Sequence, residues 1–265
     1  MKTQKRMTLL ILILVILGAG HIIGAEMVVE NEAEPDLITV EDMRGLPQPV
    51  IRHLKQAGVV GTPRIQTVYL EQTGLFKIAQ DKPYSPLAAW QTYELKEPTF
   101  LWKAKMKIAP LVSVRGFDKL ENGKGLLKMH LMGIIPLVSA EGEAVDQGDL
   151  MRYLSETIWF PQVFLEEMIT WAPIDENRAK ATLHAANMDV SGIFEFDDAG
   201  KFARFEAERY FMGKDSTRLE EWIVMVDEYG ERGGLNIPTH GTVVWKLEEG
   251  DFEYISIDVN KVIYE

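Results

Sequence analysis

Three side chains suited to binding or catalysis lie close together in one predicted helix, 146–161. Arg152, Glu156 and Trp159 recur at steps of four and three residues, so they share one flank beside the apolar stripe of the helix. An arginine–glutamate pair next to a tryptophan can line the mouth of a ligand cavity. An exposed ion pair beside a tryptophan that fills the core explains the same spacing, and the sequence leaves both interpretations open.

A further arginine stands out in the predicted strand 201–211. The alternate residues from Ala203 to Ala207 define an apolar face, and Arg209 falls on the same face. A buried arginine needs a carboxylate or carbonyl partner, whereas an arginine at the end of a strand can lie in water. We add Arg209 to the three helix residues as a candidate ligand-binding residue at the cavity mouth.

Acidic residues offer an enzymatic alternative. Glu156 with Asp146 or Glu208 would supply two carboxyl groups that act as general acid and base in a hydrolase. This alternative predicts that the paired groups face one pocket and that burial raises the pKa of at least one of them. No Gly-x-Ser-x-Gly or Ser-x-x-Lys motif occurs in the sequence, so no catalytic residue is assigned.

The sequence gives little support for a metal or cofactor site. The chain has no cysteine, which excludes disulfides, thiolate zinc sites and iron–sulfur clusters. No two histidines beyond the N-terminal segment are three to five residues apart, so one helix turn cannot present a pair of them to a metal. These histidines are His53, His130, His184 and His240. We expect no metal site and no cofactor.

The amino-acid composition limits the kinds of partner that the chain can bind. The 265 residues include 40 Asp and Glu against 28 Lys and Arg, giving a net charge of −12 at pH 7. An acidic surface repels phosphate backbones, so nucleic-acid binding is not expected. A hydrophobic content of 46% and a charged content of 26% are typical of a globular protein.

The N-terminus predicts export. A basic cluster, 2–6, precedes a run without charged residues, 7–25. Residues 1–25 are interpreted as a signal peptide cleaved near Ala25, or as an uncleaved anchor, since about 19 residues nearly span the ~30 Å hydrocarbon core. The length of the run favours the anchor. We expect a single-pass protein of the cell membrane with its domain on the extracytoplasmic side, or a secreted or periplasmic protein if cleavage occurs.

Beyond an acidic linker, 26–45, the sequence predicts one domain, 46–265. A short helix is expected between Pro49 and Gly58, because proline favours the first turn of a helix and glycine its end. From Arg64 onward, apolar and polar residues alternate with a period of two, which is typical of strands with one buried face.

Short turns join the predicted strands, as 121–124 does between 111–120 and 125–138. Such connections indicate antiparallel pairing. About nine to eleven strands are too many for a flat open sheet. We therefore predict a mainly β (α+β) fold, a single curved antiparallel sheet or half-barrel closed by the amphipathic helix 146–161.

Five stretches resemble an uncharacterised bacterial family, the domain of unknown function DUF6544, also termed DUF6920. The helix stretch is the most specific of them, and members of the family often carry an N-terminal membrane segment. The stretches are LPQPVIRHLKQAGVVGTPRI, TFLWKAKMKIAP, GIIPLVSAEGEAVDQGDLMRYLSETIWFP, RFEAERYF and DEYGERGGLNIPTHGTVVWKLEEGDFEY.

The segment 229–239 is similar to a hairpin in lipoprotein carriers of the LolA/LppX type. That resemblance implies a LolA-like half-barrel around a hydrophobic cavity. The chain departs from the LppX pattern because it lacks the cysteine that would make it a lipoprotein. Neither resemblance supplies a catalytic residue.

Three hypotheses about function follow. We favour a membrane-associated, extracytoplasmic protein that binds a lipid or another hydrophobic ligand in the half-barrel without catalysis. The carboxylate-based hydrolase is the enzymatic alternative. A structural or interaction module with a solid core is the third, and it predicts no cavity of about 300 Å³ or more.

Overall fold

An antiparallel sheet dominates the part of the chain that the computed structural model describes, residues 36–213 and 217–265. The α-helices are α1 (Gln48–Ala57) and α2 (Glu143–Glu156). The strands are β1 (Thr67–Phe76), β2 (Ser85–Glu94), β3 (Thr99–Ala109), β4 (Val112–Glu121), β5 (Lys124–Leu131), β6 (Ile135–Glu141), β7 (Ile169–Pro173), β8 (Arg178–Ala185), β9 (Met188–Phe196), β10 (Phe202–Met212), β11 (Thr217–Arg232), β12 (Leu235–Leu247) and β13 (Gly250–Tyr264). All thirteen form one sheet, in the order β6-β5-β4-β3-β2-β1-β13-β12-β11-β10-β9-β8-β7.

The sheet is curled into a half-barrel. Helix α2 contacts β4, β5 and β6 near one edge of the sheet and β8, β9 and β10 near the other. The β4–β5 turn meets the β8–β9 turn, where a Cβ atom on Gly123 would lie only 2.0 Å from Cβ of Ala186. A twist of about 20–25° between neighbouring strands accumulates to such a coil over thirteen strands. The predicted fold class, one curved antiparallel sheet closed by a helix, is confirmed.

Alternation along the strands separates a buried concave face from an exposed convex face. In β2, Leu87, Ala89, Gln91 and Tyr93 are buried while the residues between them are exposed. In β3 the alternation continues, with Lys103, Lys105 and Lys107 on the convex face. Gln91 thus places an amide among the buried, mainly apolar side chains of β2.

Helix α1 forms as the sequence predicted. Pro49 lies in its first turn, and Gly58 ends it with a φ of +81° and donates to the Leu54 and Lys55 carbonyls. On its buried face, Nδ1 of His53 lies 2.9 Å from the Gly200 carbonyl oxygen. Burial lowers the pKa of His53 to about 4, so this histidine is a neutral part of the core.

The second helix differs from the prediction at both ends. It begins at Glu143, after Gly142 with a φ of +107°, so Asp146 lies in the first turn and is not the N-cap. It ends at Glu156, and two 3₁₀ turns follow, Thr157–Trp159 and Pro161–Leu165. The backbone leaves the helical region at the residue before Pro161, as the proline ring requires.

The predicted strand 125–138 is two strands. Met132 and Gly133 adopt positive φ values of 55° and 75° and reverse the chain between β5 and β6. The predicted turn at 121–124 is present, with Asn122 and Gly123 both at positive φ. Two positive φ values in succession are the requirement of the tight hairpin turn.

The predicted N-terminal segments lie largely outside the described residues, which exclude 1–25 and the first part of the linker, 26–35. From residue 36 onward the structure differs from a linker, because Ile38 and Met43 are buried and Leu37 forms a β-bridge with Pro63. The folded domain therefore starts earlier than residue 46. Within the described ranges, no helix has the length and apolar character needed to cross a bilayer.

Candidate functional site

A cavity of about 240 Å³ lies between α2 and the concave face of the sheet. Its lining is mainly apolar and comes largely from inward-facing residues of β11, β12 and β13. These residues are Trp222, Val224, Val226, Val243, Trp245, Ile255, Ile257 and Val259. Pairing across the three strands places Val224, Val243 and Ile255 side by side, which produces a continuous apolar wall.

The structure brings all four candidate site residues to this cavity. Arg152 and Glu156 reach it from α2, Trp159 from the 3₁₀ turn that follows, and Arg209 from β10. The arginine–glutamate pair is not an exposed surface pair, since its side chains are only 14% and 11% exposed. Trp159 is half-buried, and its carbonyl accepts a hydrogen bond from Tyr264 at 2.6 Å.

Arg152 is the centre of a buried polar network. Its guanidinium donates to Glu156 and to Asp118, both at 2.8 Å, and to the Gln91 side-chain oxygen at 3.2 Å. The rings of Phe100 and Trp102 lie 4.9 and 5.0 Å from its central carbon. Burial acts to lower the pKa of Arg152, but the carboxylates of Glu156 and Asp118 raise it above the usual value, so the residue remains charged.

Both carboxylate oxygens of Glu156 accept hydrogen bonds within the protein. One carboxylate oxygen accepts from Arg152, and the other accepts from Gln91 Nε2 and the Tyr93 hydroxyl, each at 2.9 Å. Burial and the charge of Glu156 raise the pKa of Tyr93 well above its ordinary value, so Tyr93 keeps its proton and donates. Both carboxylate oxygens therefore face donors of the protein itself, which leaves Glu156 poorly placed to abstract a proton from a ligand.

A second acidic residue of α2, Asp149, lies beside Asp118. In the described part of the chain, Oδ2 of Asp149 and Oδ1 of Asp118 are buried without a hydrogen-bond partner. Burial and the charge of Asp118 raise the pKa of Asp149 to about 8, although Arg209 and Arg152 act in the opposite direction. Asp149 therefore holds a proton more readily than an exposed aspartate, and a hydroxyl on it can donate to Asp118.

The side chain of Arg209 is only 15% exposed, and it does not lie in water at a strand end. Its Nε donates to the Gly148 carbonyl at 2.9 Å, and one terminal nitrogen lies 3.9 Å from Asp149. The guanidinium packs against the rings of Trp222 and Trp245, with centroids 4.9 and 5.7 Å away. A positive charge thus borders the apolar wall of the cavity.

His240 at the cavity wall forms a chain of contacts with Asp227 and Ser256. Its Nδ1 is bonded to Asp227, and its Nε2 lies 3.0 Å from Ser256 Oγ. This order resembles a serine–histidine–aspartate triad. However, β13 pairs with β1 and β12 on both sides of Ser256, so the sheet engages the backbone N–H groups that an oxyanion hole would need.

The carboxylate pairs proposed from sequence are not brought together. Asp146 accepts hydrogen bonds from Lys124 at 2.7 Å and from the Gly125 N–H at 2.8 Å, away from the cavity lining. Glu208 lines a separate surface cleft beside Gln147. Over 36–213 and 217–265, no group of three or more histidines and acidic residues is placed to hold a metal.

Sequence reasoning missed four members of the polar network: Gln91, Tyr93, Asp118 and Asp149. A signal for the strand residues existed, because Gln91 and Asp118 occupy the apolar phase of β2 and β4. Asp149 lies three residues before Arg152 and so shares its side of the helix. The spacing of these residues in the sequence does not show that the fold brings them into contact.

Residues 36–257 match the family described as "Family of unknown function (DUF6544)", which confirms the resemblance carried by the five stretches. No curated protein sequence matches the chain significantly.

Several solved structures are similar. A LolA superfamily protein from Nitrosomonas europaea is 10% identical, with 86% of this chain and 94% of that chain covered and a TM-score of 0.46. A domain described as an outer membrane lipoprotein-sorting protein, from Vibrio parahaemolyticus, is 7% identical, with coverages of 76% and 86% and a TM-score of 0.43. A DUF1329 family protein from Desulfovibrio piger is 8% identical, with coverages of 82% and 92% and a TM-score of 0.38. TM-scores below 0.5 assign neither a ligand nor an activity to this chain.

Replacing Arg152 tests whether it holds the network together. In Arg152→Met, Asp118 and Glu156 stay buried without their counter-charge, so the free energy of unfolding should fall by about 3–5 kcal/mol. The triple variant Asp118→Asn, Arg152→Met, Glu156→Gln should recover much of this loss, because no uncompensated charge remains. Chemical denaturation of each variant measures the difference.

Arg178→Met is the matched control, since Arg178 pairs with Asp175 on the surface and each side chain is 44% exposed. An exposed pair of this kind contributes at most about 1 kcal/mol. If Arg152→Met costs no more than Arg178→Met, Arg152 does not organise the site.

The raised pKa of Asp149 predicts a pH dependence of stability. The folded state keeps a proton that the unfolded chain, with a pKa near 3.9, releases. The stabilisation that the folded state gains by binding this proton is present in full below about pH 4 and is lost as the pH rises towards 8. Asp149→Asn removes it, so the variant should gain stability relative to the wild type between pH 4 and 8, as measured by urea denaturation across that range.

The exposed residue Glu97 provides the control for this titration. Glu97→Gln should follow the wild-type pH profile. A stability difference between Asp149→Asn and the wild type that stays constant from pH 4 to 8 would contradict the raised pKa.

Proposed function

The chain belongs to the DUF6544 family, whose description names no activity, and we propose from the site itself that it binds a slender hydrophobic ligand without catalysis. The observation that carries this proposal is the apolar cavity between α2 and the concave sheet. A lipid acyl chain has the chemistry that fits the wall, since burial of each methylene contributes about 0.8 kcal/mol. Binding of this kind needs no reactive group.

The volume of the cavity limits the ligand. At about 240 Å³ it is slightly smaller than the ~300–1,000 Å³ typical of sites for drug-sized molecules. One chain, or part of one, suits this space better than a lipid with several chains.

The cavity volume of about 240 Å³ lies below the ~300 Å³ that would count against a solid-core module, so the support for ligand binding over that alternative comes from Arg209. Its guanidinium borders the cavity, with the rings of Trp222 and Trp245 on its apolar side. An amphiphilic ligand would use both features, its chain against the wall and its polar end towards the charge.

The hydrolase alternative has less support from the geometry. Both oxygens of Glu156 already accept hydrogen bonds, from Arg152, Gln91 and Tyr93. Its proposed partners Asp146 and Glu208 do not line the cavity. The role of the carboxylates is better accounted for as neutralisation of Arg152.

Location follows from the proposed export segment. We place the domain outside the cytoplasm, attached to the membrane by residues 1–25 or released by cleavage near Ala25. In that compartment a hydrophobic ligand is available from the bilayer. The net charge of −12 argues against a nucleic-acid partner.

Filling the cavity should abolish ligand binding. Val243 lies in the middle of the apolar wall, so Val243→Trp would occupy the space that a chain needs. We expect the full chain, purified from membranes and examined by native mass spectrometry, to carry a lipid-sized mass that organic extraction removes. The Val243→Trp variant should lack this mass.

Val60→Trp serves as the control, because Val60 is exposed and lies outside the cavity. It should retain the ligand mass, and circular dichroism should show both variants folded. A ligand-free mass for the wild type, or equal ligand occupancy in Val243→Trp and the wild type, would overturn the proposal.

A further inference from the structure

Two neighbouring turns carry exposed apolar side chains that the cavity does not use. The β3–β4 turn exposes Leu111 to 88%, and the β5–β6 turn exposes Ile134 to 80%. Ile108, Met132 and Ile135 beside them are about half exposed. We call these five residues the tip patch. Apolar side chains clustered in this way mark a contact with a partner or a membrane.

The two turns form one surface. The Met132 N–H donates to the Ser113 carbonyl at 2.7 Å, and the Met132 sulfur lies 3.4 Å from the Ser113 nitrogen. A Cβ atom on Gly133 would lie 3.7 Å from Cδ of Arg115. Leu111 and Ile134 therefore project from adjacent turns at the same end of the sheet.

Basic residues adjoin the tip patch, although the chain as a whole is acidic. Lys105 and Lys107 are exposed on β3, and Arg115 is exposed on β4 opposite Lys105. The sequence contains no acidic residue over 99–117 or 122–140. The two turns of the tip patch, with the strands that carry them, are thus positive as well as apolar.

We propose that the tip patch docks on a lipid bilayer with anionic headgroups. Leu111 and Ile134 enter the interface between headgroups and acyl chains, and the basic residues contact the phosphates. Apolar residues flanked by lysine and arginine are the combination that binds anionic membrane surfaces. A second copy of the chain fits less well, because tip-to-tip contact would bring like charges together.

This contact goes beyond ligand binding, since it orients the domain. β1, two strands from β3, ends at the same side of the sheet with Phe76, which lines the cavity. Docking through the tip patch brings this side of the cavity towards the bilayer.

A site-specific fluorophore tests the proposal on the full chain. Because the sequence has no cysteine, Leu111→Cys provides a single attachment point for an environment-sensitive label. The labelled chain is reconstituted into phosphatidylcholine vesicles with and without phosphatidylglycerol. In the anionic vesicles, a spin-labelled lipid should quench most of the fluorescence and aqueous iodide little of it.

Ile174→Cys supplies the matched control, because Ile174 is 44% exposed and lies outside the tip patch, in the turn between β7 and β8. This turn contacts α1, where Arg52 donates to the Glu176 carbonyl. Its label should remain accessible to iodide and unquenched by lipid. The double reversal Lys105→Glu, Lys107→Glu should remove the lipid quenching at Leu111, as should high salt.

Equal lipid quenching at positions 111 and 174, or iodide access at Leu111 in both kinds of vesicle, would overturn membrane docking. A label at Leu111 that is shielded from iodide without any vesicles would point to self-association, and would overturn it as well. The cavity variant Val243→Trp should leave the quenching at Leu111 unchanged, so a failure of ligand binding and a failure of docking are separable.

Discussion

A buried positive charge, Arg152, is the constraint on which the interior of the half-barrel depends. An arginine taken out of water must meet negative charge and hydrogen-bond acceptors, and α2 brings this one beneath the sheet. Asp118 of β4 and Glu156 of α2 neutralise it, while Gln91 of β2 satisfies a further donor. Because Asp118 and Gln91 lie on different strands of the sheet, their contacts with Arg152 hold α2 at a defined position over the strands.

Because of the position of α2, one side of the interior is polar and filled, and the other is apolar and open. Over β2–β4 the polar network fills the space between helix and sheet, whereas over β11–β13 the apolar wall is left facing a cavity. Arg209 lies between these regions, bonded to the Gly148 carbonyl of α2 and stacked on Trp222 and Trp245. A ligand with an apolar chain and a polar end matches this division, which is why we place binding here and not at the histidines or the surface clefts.

Local patterns predicted the fold well because alternation and turn chemistry are local. They also placed Arg152 and Glu156 on one helix flank and Arg209 on an apolar face, whereas Trp159, predicted on the same helix, lies in the 3₁₀ turn that follows it. The contacts of Arg152 with Asp118 and Gln91 bridge 34 and 61 residues, so they depend on the curl of the sheet and not on spacing. The break between β5 and β6 was missed because Met132, at positive φ, is not a residue that turns usually select.

The central claim is that an apolar chain occupies the space between α2 and the wall of β11–β13. Crystals of the protein grown with a fatty acid that carries bromine at its terminal methyl group would test it through the anomalous signal of bromine. The account predicts a bromine position in contact with the apolar wall, near Val224 and Val243. Bromine found only on the outer surface, with the cavity unchanged, would contradict it.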